Sequence, residues 1–156
     1  MVGDKSECLI DYGLYWPTRF EIKRKGAMSR KRIFISFAIE DSILRDFLVG
    51  QAKNKKTPFE LVDMSVKQPW DSKWKTNCRT KIKGCDGVIA IVTKNTKKAD
   101  GQLWEVNCAK EENVPVRCIW GSSVEKDRPK TLPSEFAGVR TVNWTWENIS
   151  NWLDKL

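Results

Sequence analysis

Histidine is missing from this chain altogether. That excludes Ser-His-Asp and Cys-His relays, an imidazole base and any metal held through imidazole. Chemistry here has to rest on carboxylates, lysine, cysteine, tyrosine or a bound cofactor. Cysteine is sparse: Cys8, Cys78, Cys85, Cys108 and Cys118 make an odd count with no Cys-x-x-Cys pair, which argues against a disulfide framework or a zinc ribbon. Cys85, Cys108 and Cys118 fall in apolar-patterned stretches, where free cysteine packs as a small hydrophobe. A reducing cytoplasm is therefore the expected compartment. There is no Gly-x-Gly-x-x-Gly or Walker-type loop. No apolar run approaches the ~18 residues of a membrane span, so no membrane partner is expected. The opening residues, 1–8, are polar and acidic, unlike a secretory leader.

What is present suits one soluble globular domain: 156 residues, 40% apolar and 31% charged, with a net charge of +8. Residues 1–28 stand apart. They hold Tyr12, Tyr15, Trp16, Pro17 and Phe20, then the basic run Lys23-Arg24-Lys25, with no clear period. They read as an N-terminal appendage, such as a docking tail, and 29–156 reads as an α/β domain.

From residue 31 strand and helix signals alternate. Ile33 to Phe37 is a short apolar, β-branched run, a buried strand. Asp41-Ser42 offers a cap to a helix carrying Ile43, Leu44, Phe47 and Leu48. Phe59 to Val62 is a second strand. Trp74, Cys78 and Ile82, four apart, put an apolar face on a helix running to Cys85, with Lys75, Arg79, Lys81 and Lys83 around it. Val88 to Val92 is a continuous apolar run, as a central parallel strand covered on both faces requires. A helix follows Asp100-Gly101, from about Gln102 to Glu112. Val114 to Trp120 is a fourth strand and Val139 to Val142 a short edge strand. Thr145 to Leu156 closes the chain as a helix in which Trp146 and Trp152 pack.

This alternation predicts a doubly wound, flavodoxin-like α/β sandwich: a five-stranded parallel sheet in the order 2-1-3-4-5 with helices on both faces. Ligands of such sheets bind beyond the carboxyl ends of the strands, at the switch in strand order. The segments there are Phe37 to Asp41, Asp63 to Trp74, Thr93 to Glu105 and Gly121 to Lys126. A response regulator needs an Asp ending the third strand, and this chain has Thr93-Lys94-Asn95. A flavodoxin needs a Ser/Thr/Gly-rich phosphate loop after the first strand. Ala38-Ile39-Glu40-Asp41 is acidic and would repel a phosphate.

Three segments carry a resemblance. Residues 33–41, IFISFAIED, resemble the opening strand and loop of TIR domains, a Ser-aromatic pair followed by Asp. Residues 82–96, IKGCDGVIAIVTKNT, resemble their central strand, entered through a Cys/Ser-Asp step. Residues 102–119, QLWEVNCAKEENVPVRCI, are similar to their next helix and strand, with Glu-aliphatic-x-x-Ala after a Trp. The segments resemble in particular the TIR-like proteins of bacterial antiphage Thoeris systems, of the ThsB type. The resemblance spans roughly residues 31–121.

It implies an enzyme that cleaves NAD, a glycohydrolase or ADP-ribose cyclase, with NAD as substrate and no further cofactor. Glu105 matches the catalytic glutamate. Phe37, Ala38 and Asp41 match the first loop beside the nucleotide pocket, and Asp63 to Trp74 the loop that mediates assembly and borders the site. Trp70, Trp74 and Trp104 offer stacking surfaces for adenine or nicotinamide, and Lys73, Lys75 or Arg79 could meet the pyrophosphate. The resemblance further implies self-association through TIR-type loops and a separate effector that senses the nucleotide product. The sequence departs from the eukaryotic enzymes in two ways: Gly101-Gln102 stands where a Ser often precedes the helix, and Trp104 abuts the glutamate.

The chemistry suits a chain without histidine. The nicotinamide leaving group is already a cationic pyridinium and needs no general acid. A carboxylate can stabilise the oxocarbenium-like ribose or hold its hydroxyls. Glu105 is expected in the first turn of its helix, where amide dipoles favour the ionised acid. Plainer readings stand beside these: Glu105 as a solvated helix residue, Asp41 as a helix cap, Trp74 and Trp104 as core. A non-catalytic TIR-like adapter is the alternative function. The basic excess (Lys73, Lys75, Arg79, Lys81, Lys83, with Lys94, Lys97 and Lys98) admits a nucleic-acid surface, although no recognised motif accompanies it.

Overall fold

The computed structural model describes residues 30–54, 59–62 and 72–156. The appendage inferred for 1–28 and most of the segment Asp63 to Trp74, Trp70 included, lie outside the described residues. In chain order the elements are β1 (Lys31–Ser36), α1 (Ser42–Ala52), β2 (Phe59–Val62), α2 (Ser72–Lys83), β3 (Gly87–Val92), α3 (Asp100–Glu111), β4 (Val116–Trp120), β5 (Thr141–Asn143) and α4 (Trp146–Leu153). The five strands pair in parallel in the order β2-β1-β3-β4-β5, as the alternation predicts. None of the described helices is long and apolar enough to cross a membrane.

Side-chain alternation along the strands builds a core on each face of the sheet. Ile33, Ile35, Ile89, Ile91 and Ile119 point to one side, where Leu48 of α1 and Ile149, Trp152 and Leu153 of α4 cover them. Phe34 and Val88 point to the other, against Trp74, Cys78 and Ile82 of α2 and Cys108 and Ala109 of α3. Ala90, Val92 and Cys118 complete that face with Val106 of α3. Every residue of β3 is buried, which is why its sequence is continuously apolar rather than alternating. Each large side chain buried here contributes about 1.5–3 kcal/mol. Gly87 opens β3 where Trp152 and Leu156 press close: a Cβ there would stand 2.7 Å from the indole and 3.0 Å from Leu156 Cδ1.

Boundaries differ from the sequence reading by one to three residues, for local reasons. α3 begins at Asp100 rather than Gln102. It ends where Asn113 adopts φ 56° and the amides of Asn113 and Val114 turn back to Lys110 O (3.2 Å) and Ala109 O (2.8 Å), a Schellman closure. Thr145 caps α4 instead of belonging to it, accepting from the Asn148 amide at 3.2 Å. Cys78, Cys85, Cys108 and Cys118 are free and buried. Burial pushes the Cys85 thiol up to about 11 and the Cys118 thiol up to about 12, which leaves them unreactive packing groups.

Candidate functional site

The strand order reverses between β1 and β3, and a buried polar cluster sits at their carboxyl ends. Ser36 ends β1 and is fully buried. Its Oγ donates to Oε2 of Glu105 at 2.6 Å. One turn earlier on α3, Gln102 Nε2 donates to Ile91 O (2.7 Å) and to Ser36 O (3.3 Å). A single side-chain amide thus ties together the ends of the two strands at the switch point. Its other atom, Oε1, is buried without a hydrogen-bond partner. Neither Ser36 nor Gln102 was assigned a role from the sequence. The available signal was a polar residue, Gln102, on the same helical stripe as Val106 and Ala109, where an apolar one is expected.

Glu105 is 6% exposed. Two expectations about it are corrected. It lies in the second turn of α3, because the helix starts at Asp100, so the amide dipoles of the first turn do not hold it ionised. Burial instead pushes its carboxyl up to about 8, and the Ser36 hydrogen bond only partly opposes that shift. The acid is therefore largely protonated at neutral pH. It is also not the solvated helix residue of the plainer reading.

Asp41 stands at the N-cap position of α1, but its side chain makes no capping hydrogen bond. It is buried, and its carboxylate accepts from the Thr93 hydroxyl and from Asn95 Nδ2 (2.8 Å). The loops after β1 and β3 are joined through it. Ala38 is buried, and its carbonyl accepts from the Asp41 amide at 2.8 Å. Phe37 packs on the α1 face of the sheet, beneath the Arg45 guanidinium at 5.5 Å.

Trp74 and Trp104 pack together, ring centroids 5.2 Å apart. Trp74 is buried in the core with Cys78 and Ile82, with its indole N–H unpartnered. Trp104 is half-buried and sits under two cations, Arg79 at 5.7 Å and Lys75 at 6.0 Å. Arg79 is already committed to Glu111 (2.7 Å) and Glu112, which occupies a group considered above for a pyrophosphate. The site residues thus form three groups: Glu105 with Ser36 and Gln102, Asp41 with Thr93 and Asn95, and Trp74 with Trp104. Described residues form two clefts: Trp104 borders one, with Asp100, Leu103 and Asn107 of α3, the other lies between α1 and the ends of β4 and β5, and Glu105 lines neither. Among the described residues no three His, Cys, Asp or Glu side chains converge to hold a metal ion.

No protein-family profile matches this chain, and no curated protein matches it. Among solved structures, the TIR domain of the Toll-related receptor TRR-2 from Hydra magnipapillata superposes with a TM-score of 0.54 at 14% identity, over 79% of this chain and 91% of that one. The chain has the fold of a TIR domain. At this identity the likeness is one of fold.

Proposed function

We propose that this chain is a TIR-like NAD-cleaving enzyme of the Thoeris type, a glycohydrolase or ADP-ribose cyclase that makes a nucleotide signal in antiphage defence, with Glu105 as its catalytic residue. The observation that carries the reading is a buried carboxyl on α3, hydrogen-bonded to the last residue of β1 at the switch point of the sheet, where ligands of this architecture bind. The three sequence segments and the TIR fold support the same reading.

The raised proton affinity of Glu105 fits a cationic substrate. A pyridinium brought within a few ångströms favours the ionised acid. Binding of NAD would then release the proton and leave a carboxylate beside the ribose carbon as positive charge develops there. The attacking group is water, giving ADP-ribose, or an atom of the same molecule, giving a cyclic product. Phe37, Ala38, Asp41, Trp70, Trp74 and Trp104 are proposed to border the substrate. A second copy, docked through TIR-type loops, and a separate effector that senses the product complete the scheme.

One observation favours a non-catalytic adapter: Glu105 is buried, bonded to Ser36 and lines neither of the clefts formed by described residues, which is a stable structural arrangement and counts against direct contact with a dinucleotide. Incubating concentrated protein with NAD and measuring free nicotinamide separates the two. Release by the parent and not by Glu105→Gln supports the enzyme. No release by the parent, under crowding as well as in dilute solution, supports the adapter.

A further inference from the structure

A cleft that Glu105 does not line lies between α1 and the carboxyl ends of β4 and β5. It encloses about 710 Å³, within the roughly 300–1,000 Å³ of small-molecule sites. Phe47 and Trp144 bring rings to it, Trp120 borders it from the end of β4 while packing against the Phe136 cluster on the α3 side of the sheet, and among the described residues its one charged residue is Arg128. Among the described residues no acidic one lines it.

Arg128 is held rigidly. Its Nε donates to Ser122 O (3.0 Å), and its Nη2 to Asn143 Oδ1 (2.9 Å) and Ser123 O (3.5 Å). The guanidinium stands 5.1 Å from the Trp120 ring centroid. Nη1 has no hydrogen-bond partner among the described residues, and no carboxylate there pairs with Arg128. A fixed positive charge with an unused donor edge is what recognises an oxyanion. The Trp144 indole is fixed too, through its N–H to Gln51 Oε1 at 3.2 Å. Phe47 is 63% exposed, an apolar ring left in solvent where it borders the cleft.

We propose that this cleft binds a nucleotide: a planar base stacked between Phe47 and Trp144, with its phosphate on Nη1 of Arg128. The amide of Asn143 and the hydroxyls of Ser122 and Ser123 suit the sugar hydroxyls between those two ends. The site shares no residue with the Glu105 cluster, so it goes beyond the NAD-cleaving reading and does not depend on it.

The test uses the full chain and three probes: AMP, adenosine and inorganic phosphate. Tryptophan fluorescence gives the affinities, and indole N–H shifts of Trp120 and Trp144 give the location. AMP is expected to bind saturably and move both indole signals. Arg128→Gln weakens AMP about tenfold or more and leaves adenosine unchanged. Phe47→Ala, at an exposed position that leaves the fold intact, weakens AMP and adenosine alike. The proposal is overturned if AMP does not saturate, or if phosphate alone binds as tightly as AMP. It is also overturned if AMP binding is lost in Glu105→Gln and intact in Arg128→Gln and Phe47→Ala. None of these results bears on nicotinamide release, which is measured separately.

Discussion

Ser36 and Glu105 are 69 positions apart in the chain, yet the serine Oγ donates to the glutamate carboxyl at 2.6 Å, both side chains buried at the point where the strand order reverses. A carboxyl in such a place has lost its water and keeps one hydrogen bond. Its proton affinity rises because the charged form is the one that suffers.

Under the NAD-cleaving reading, Glu105→Gln keeps the shape of the side chain and removes the charge it can develop. Nicotinamide release should fall at least about 100-fold, corresponding to about 2.7 kcal/mol or more of lost transition-state stabilisation. Circular dichroism should be unchanged. An equally active variant would remove Glu105 from the chemistry.

The same group makes stability depend on pH. Its folded pKa, about 8, lies above its ordinary value of 4.5, so between those limits the folded state binds the proton that the unfolded state has released. The contribution is complete below about 4.5 and is lost as pH rises through about 8. Denaturation midpoints in urea should decline over that window in the parent, and the slope should flatten in Glu105→Gln. Parallel curves for the two proteins would contradict the burial of the acid.

Catalysis should follow the free enzyme's Glu105. Because the substrate needs the carboxylate, kcat/KM for NAD should rise with pH through a midpoint near 8 and level off about one unit above it. At saturating NAD the bound pyridinium should shift the midpoint downward, so kcat should level off at lower pH than kcat/KM. Identical profiles for the two parameters would reject substrate-driven ionisation.

Gln102→Met preserves bulk and removes the donor that serves Ile91 O and Ser36 O. Leaving buried carbonyls unpaired should cost about 1–3 kcal/mol, read as a lower urea midpoint. An unaltered midpoint would mean that the amide is not holding β1 and β3 together.

Gly87→Ala should destabilise by about 1–3 kcal/mol, since its methyl meets the Trp152 ring at 2.7 Å. Trp152→Phe removes the outer ring that causes the clash. In that background the added methyl should cost much less, and a double-mutant cycle measures the coupling. Additive effects would show that the two residues do not press on each other.

Much of this molecule was decided locally and is legible in the residues themselves. Val88 to Val92 is apolar without interruption because both faces of β3 are covered. Trp74, Cys78 and Ile82 recur at the helical period because one side of α2 meets the sheet. Strands alternating with helices leave few arrangements once crossovers are right-handed, so the strand order followed. The state of the functional side chains did not. Sequence position suggested an ionised Glu105 and a capping Asp41. The folded chain buries the first against Ser36 and turns the second to Thr93 and Asn95, on a loop more than fifty residues away. Gln102 reads as a polar interruption of an apolar stripe until β1 and β3 end beside it. Propensity and periodicity act over a few residues, so they set the elements. Desolvation and hydrogen-bond pairing depend on which distant groups share a cavity, and only the assembled sheet decides that.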